Sequence, residues 1–193
     1  MTQQSSDYVI YKRKRYTLID CESNLIKTAD FGLGVSKDKH TGCYRGYIAI
    51  YGIIKDTLYG VKINEEFDFE NGFKVNYIKS KRMKMNYTGS ILIALPGSDY
   101  FNSDFIDGYL FSDEAFELYF IDGKLKEVIS LKETIDGWKN EDKRINIENR
   151  ILRKKGEFED NHEMIMRKAR LREEYAKKHL KYKYCNYKWT TKG

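Results

Sequence analysis

Cysteine, proline and long apolar runs are all scarce in this sequence. The three cysteines, Cys21, Cys43 and Cys185, are odd in number and have no close pairing, which argues against a disulfide framework. Apolar runs such as Ile91–Leu95 have the length of a strand, far short of the roughly 18 residues a membrane span needs. The N-terminal stretch MTQQSSDYVIYKRKRY lacks the apolar core and small-residue cleavage site of a signal peptide. These absences point to the cytoplasm, of a bacterium or of the host if the chain is phage-encoded. The single proline, Pro96, accompanies 25 Lys against 10 Arg and 16 Tyr. That bias towards A/T-rich codons suggests an AT-rich bacterial or phage genome and says nothing about chemistry.

Metal and nucleophile signatures are also thin. There is no CxxC, HxxxH or HExxH spacing, so no metal site and no cofactor is expected. His40 and Cys43 share a glycine-containing loop, but no third group marks them as a catalytic pair, and no catalytic residue is assigned. Asp99, Asp104, Asp107, Asp113 and Glu114 concentrate carboxylates in one irregular stretch. A Mg²⁺-dependent nuclease would need such groups to converge, whereas acidic loops are usually just solvated. Gly32-Leu33-Gly34-Val35-Ser36-Lys37 lacks Walker spacing and a following helix, so it carries no phosphate site.

What is present is organised in two parts, a β-rich body over 1–130 and a basic helical tail with a terminal aromatic segment over 131–193. The fold class expected is α+β: a mainly antiparallel β-sheet body built from hairpins, followed by a basic α-helical hairpin. In the body, Tyr8–Leu18 is β-rich around a basic turn at Arg13-Lys14, and Tyr44–Ile54 turns at Lys55-Asp56 into Leu58–Ile63. Asn71-Gly72 and Asp122-Gly123 carry the strongest hairpin signals. Side-chain pairing favours a three-residue loop at the first, setting Phe69 opposite Phe73. At the second a two-residue loop pairs Phe120 with Leu125, but also sets Leu118 opposite Glu127. The near-continuous apolar character of Tyr47–Ile54 and Ser90–Leu95 makes them inner strands.

In the tail, Ser130 and Glu133 have capping-box spacing, ahead of Ile135, Trp138, Ile145 and Leu152 on one stripe. Gly137, Asp142 and Asn149 interrupt that stripe, so a break near residues 140–142 is expected. Gly156 is a natural stop. A second helix runs from Asp160 to about Tyr182 with Ile165, Ala169, Ala176 and Leu180 on its buried stripe, and the short connection implies an antiparallel pair.

Charge divides along the same line. Residues 139–193 hold 17 Lys+Arg against 9 Asp+Glu, a net of +8, whereas the first 138 residues hold 18 against 20. The candidate binding residues for protein or nucleic acid are Arg150, Arg153, Lys154, Lys155, Arg167, Arg170, Lys177, Lys178, Lys181, Lys183, Tyr184, Tyr187 and Trp189. Cations interleaved with aromatics are how nucleic acid is held without base readout. Cations near a helix C-terminus also merely complement the dipole. The expectation is a non-enzymatic binding protein, of inhibitor or immunity type, whose partner is a nuclease, a toxin-like protein or a ribonucleoprotein. The alternative is a direct nucleic-acid binder using the C-terminal region or, behind it, a metal-dependent nuclease. No membrane partner is expected.

Overall fold

A computed structural model describes residues 6–23, 25, 48–64, 77–78, 83–95, 106–157 and 161–184. Its strands are β1 (Tyr8–Tyr11), β2 (Lys14–Cys21), β3 (Ile48–Ile54), β4 (Thr57–Asn64), β5 (Tyr77–Ile78), β6 (Met83–Lys84), β7 (Gly89–Leu95), β8 (Glu114–Ile121) and β9 (Lys124–Ser130). A 3₁₀ helix, Ile106–Phe111, precedes β8, and two helices follow β9: α1 (Lys132–Lys154) and α2 (Asn161–Lys178).

The expected sheet of antiparallel hairpins is corrected here, because the strands close into a barrel. The hydrogen-bonded order β3-β1-β2-β7-β8-β9-β4 returns to β3, a ring of seven strands, with β5 and β6 added outside it on β4. One pair, β1 with β3, is parallel. Closure requires curvature, and bulges supply it. Ile19, Val61 and Lys126 are each an extra residue on one side of a ladder. The bulge at Lys126 also repairs the mismatch foreseen in the β8–β9 hairpin. Phe120 pairs with Leu125 as expected, but Leu118 then meets Val128 instead of Glu127.

Three hairpins turn on two residues that both have left-handed backbones: Lys12-Arg13 (φ 47° and 65°), Lys55-Asp56 (46° and 55°) and Asp122-Gly123 (48° and 72°). This is the type I′ pattern, whose twist matches that of the strands. The first turn falls one residue before the basic turn read from the sequence. The Asn71-Gly72 hairpin lies outside the described residues.

The apolar run in β7 has two coverings. Ile91 and Ile93 point into the barrel with Leu18, Phe116, Leu118 and Phe120. Leu92 and Ala94 point outwards, beneath Tyr109, Leu110, Ile135, Trp138, Ile145 and Ala176. The helices therefore share a second core with the outer face of β2, β7 and β8. Each fully buried side chain in these layers is worth about 1.5–3 kcal/mol.

The expected break in α1 is absent, and all 23 residues form one helix. Gly137 leaves room for α2, since a Cβ there would stand 2.5 Å from the Tyr175 hydroxyl and that ring would have to shift. Asp142 and Asn149 belong to the polar clamp between the helices, and so the stripe is interrupted by contacts instead of by a turn. α1 stops at Gly156 (φ 75°), where the Gly156 and Glu157 N–H groups donate back to Arg153 and Leu152 carbonyls, a Schellman-type end.

Candidate functional site

Among the described residues, the most exposed large apolar side chains lie on the helical hairpin towards its connection. Closer to the barrel, α1 and α2 are held firmly. The Tyr109 hydroxyl donates to the Ala176 carbonyl (3.1 Å), and the Tyr175 ring lies 5.3 Å from Trp138. Arg172 binds the buried Asp107 carboxylate of the 3₁₀ helix and lies 4.8 Å over the Phe111 ring. Further along, Lys168 binds Asp142 (2.8 Å) and Asn146 (3.1 Å). Arg167 reaches Glu148 (3.0 Å) and the buried Asn149. A buried polar residue is costly unless bonded, so Arg167 is accounted for by Asn149.

Beyond that clamp the surface is apolar and cationic. Ile147, Ile151, Ile165 and Met166 are 61%, 49%, 63% and 42% exposed. Ile147, Arg150, Ile151 and Lys154 are spaced i, i+3, i+4, i+7, which places them on one helical face. Arg150, Arg153, Lys154 and Lys155 are exposed and form no ion pair among the described residues. Sequence spacing had assigned Ile165 to the buried stripe of α2, and the structure corrects this. The stripe continues geometrically past the point where the body ends.

The other sequence-derived site residues divide between free and engaged. Arg170, Lys178 and Lys183 are exposed without an ion-pair partner among the described residues. Lys177 pairs with Glu173 in the next turn up. Lys181, Tyr182 and Tyr184 belong to a short strap laid on the barrel. Buried Glu117 accepts the backbone N–H groups of Lys181 (3.0 Å) and Tyr182 (3.1 Å) and the Tyr184 hydroxyl (2.9 Å). Burial, and then the Glu117 charge, push the Tyr184 phenol well above its ordinary range. Glu127 accepts from Lys181 Nζ (2.7 Å) and the Tyr182 hydroxyl (2.6 Å), and Tyr182 stacks on Tyr119 at 5.2 Å. The aromatics at 182 and 184 thus close over the sheet. Tyr187 and Trp189 lie outside the described residues, as do His40, Cys43, Asp99, Asp104 and the segment 32–37.

Of the remaining acidic stretch, Asp107 is held by Arg172, Asp113 is exposed, and Glu114 accepts from Tyr16 (2.6 Å) and Lys14 (3.1 Å). Among the described residues no three His, Cys, Asp or Glu side chains converge as a metal site. No described helix is long and apolar enough to cross a membrane.

Two carboxylates, Glu127 under the strap and Glu114 beside β2, are held ionised by their donors. Hydrogen bonds from Lys181 and then Tyr182 hold the Glu127 carboxyl below its ordinary value, and the Tyr16 hydroxyl, then Lys14, do the same for Glu114. A lowered folded value means that their contribution is full above the ordinary carboxylate range and is lost as pH falls through the folded values. The Glu127 side-chain carboxyl, followed by NMR, should titrate below its ordinary range, and Lys181→Ala should move it back towards that range. A wild-type carboxyl that titrates at its ordinary value would contradict the assignment.

No protein family, curated protein or solved structure matches the chain.

Proposed function

We propose that this is a non-enzymatic binding protein of inhibitor or immunity type, acting in the cytoplasm of a bacterium or of a phage's host. It docks on a nuclease or related defence component through the end of its helical hairpin. The observation that carries the reading is exposed Ile147 and Ile151, interleaved on one face of α1 with Arg150 and Lys154, with Ile165 and Met166 also exposed on α2 near the same connection. Arg150, Arg153, Lys154 and Lys155 have no ion-pair partner among the described residues. An apolar centre with a charged rim is the anatomy of a protein–protein interface. Its complement is an apolar surface edged by carboxylates. A metal-dependent nuclease carries such carboxylates where it holds its ions, so the cation rim suits that class of partner. The engagement of Arg167, Arg172, Lys181 and Tyr184 within the fold weighs against the whole tail acting as a nucleic-acid surface.

The test is a chain with Arg150, Arg153, Lys154 and Lys155 all changed to Glu. It should remain folded and lose no more than about 1–2 kcal/mol, since exposed side chains contribute little apart from the helix-dipole term. Affinity for the partner isolated from the native host after nuclease digestion should fall at least about a hundredfold, through lost complementarity and like-charge repulsion. Undiminished affinity in the folded variant would overturn the reading.

A further inference from the structure

We infer that the β1–β2 hairpin is a second binding site, independent of the helical one, whose Lys12, Arg13 and Arg15 grip the phosphodiester backbone of duplex DNA. Lys12, Arg13, Lys14 and Arg15 are consecutive and all exposed. Among the described residues the one carboxylate paired with any of them is Glu114, which takes Lys14 at 3.1 Å. Lys12 contributes only its field to Glu114, so three cations remain outside that ion pair, and Arg13 has no side-chain hydrogen bond or ion pair among the described residues.

The residue choice at this turn is not explained by the fold. The barrel's three two-residue turns share one backbone conformation. One is built from Asp122-Gly123, which suits it, and another has Asp56 at its second position. Lys12-Arg13 uses two long side chains where Asn-Gly would be favoured. Strained positions cluster at ligand sites, though not only there, since Lys55-Asp56 adopts the same conformation. Here the side chains placed on the strained backbone are cations that contribute little to the core.

The surroundings choose the ligand. The Arg15 guanidinium lies 3.6 Å over the Tyr8 ring, which fixes its plane and leaves its donor edge for a bidentate phosphate contact. The Lys12 ammonium stands 5.1 Å from the Tyr11 ring and 5.5 Å from the Phe116 ring. These rings are already covered by cations and so are not available to stack unpaired bases, which disfavours single strands. Only the tip of the hairpin stands clear, since β1 is paired with β3 up to Ile10 and β2 with β7 from Thr17. A tip this narrow can enter the wide major groove of B-form DNA, whereas the major groove of duplex RNA is too narrow to admit it. With no polar side chain of another type in the turn, the contacts are to phosphates and independent of sequence.

The test compares wild type, Lys12→Asn/Arg13→Gly, and the control Lys55→Asn/Asp56→Gly by fluorescence anisotropy with a short labelled DNA duplex. Both double variants install the favoured turn pair, so neither should melt below wild type. Arg13→Gln with Arg15→Gln serves as a second probe that leaves Lys12 in place. Between about 50 and 200 mM salt, the wild-type log–log slope should exceed that of Lys12→Asn/Arg13→Gly by about two, with affinity down roughly tenfold or more. The control should match wild type. Equal affinity and slope for wild type and both hairpin variants would overturn the proposal. So would single-stranded DNA or duplex RNA binding as tightly as the DNA duplex.

Discussion

Gly123→Val should destabilise the protein by roughly 3–5 kcal/mol, one of the largest single-residue effects available in the chain. The position is doubly constrained. Its φ is 72°, and a Cβ there would stand 1.9 Å from the Met85 carbonyl oxygen, backbone that cannot step aside. The turn is also the seam at which the barrel closes. The β4–β9 ladder consists of the single pair Thr57 and Lys124. It is reinforced by backbone bonds from Leu58 to the Gly123 carbonyl and from Leu125 to the Asp56 carbonyl, each 2.8 Å. Gly123 further donates its N–H to the Tyr87 carbonyl (2.8 Å). Valine there should release the seam and expose the Leu58 and Leu125 amides to exchange. Chemical denaturation with hydrogen exchange checks both effects. A variant within about 1 kcal/mol of wild type would mean that the strands do not close here.

Glu117→Ala should cost about 2–4 kcal/mol and detach the strap. The carboxylate is 1% exposed and satisfies three donors from residues 181–184. Its removal leaves the Lys181 and Tyr182 amides and the Tyr184 hydroxyl without an acceptor under partial burial. Relief comes by the segment lifting into water, which also separates Tyr182 from Tyr119. The expected signs are a lower melting temperature, fast exchange at residues 181 and 182, and a changed tyrosine signal in near-ultraviolet circular dichroism. Glu117→Gln retains one acceptor oxygen and should fall between wild type and alanine. A wild-type melting temperature with protected amides in Glu117→Ala would show that the strap is held by other contacts.

Turn chemistry is local, and so the hairpins at Lys55-Asp56 and Asp122-Gly123 could be read from neighbouring residues. Closure could not. It depends on where bulges fall, at Ile19, Val61 and Lys126, and on β1 lying parallel to β3 across some 40 residues of chain. Neither leaves a periodic signature. The double covering of β7 was visible as an unbroken apolar run, but the same pattern fits any sheet buried on both faces. For the helices, spacing identified Ile135, Trp138 and Ile145, and it could not show that the hairpin outruns the body at Ile165. The polar residues Asp142 and Asn149 resembled a helix break because their partners, Lys168 and Arg167, lie on the other helix. Composition likewise established the sign of the tail's charge. Which cations are engaged and which remain available depends on tertiary contacts with Asp107, Glu127 and Glu148.

The most direct measurement of the docking surface is photo-crosslinking in the native host, with a photoreactive residue placed in turn at Ile147, Ile151 and Ile165. Exposed Lys126, on the barrel, is the control position. A crosslinked protein partner is expected at the three hairpin positions that survives nuclease digestion, is absent at 126, and disappears when Arg150, Arg153, Lys154 and Lys155 are changed to Glu. Crosslinks absent from the hairpin, equally strong at 126, or composed of nucleic acid alone would contradict it.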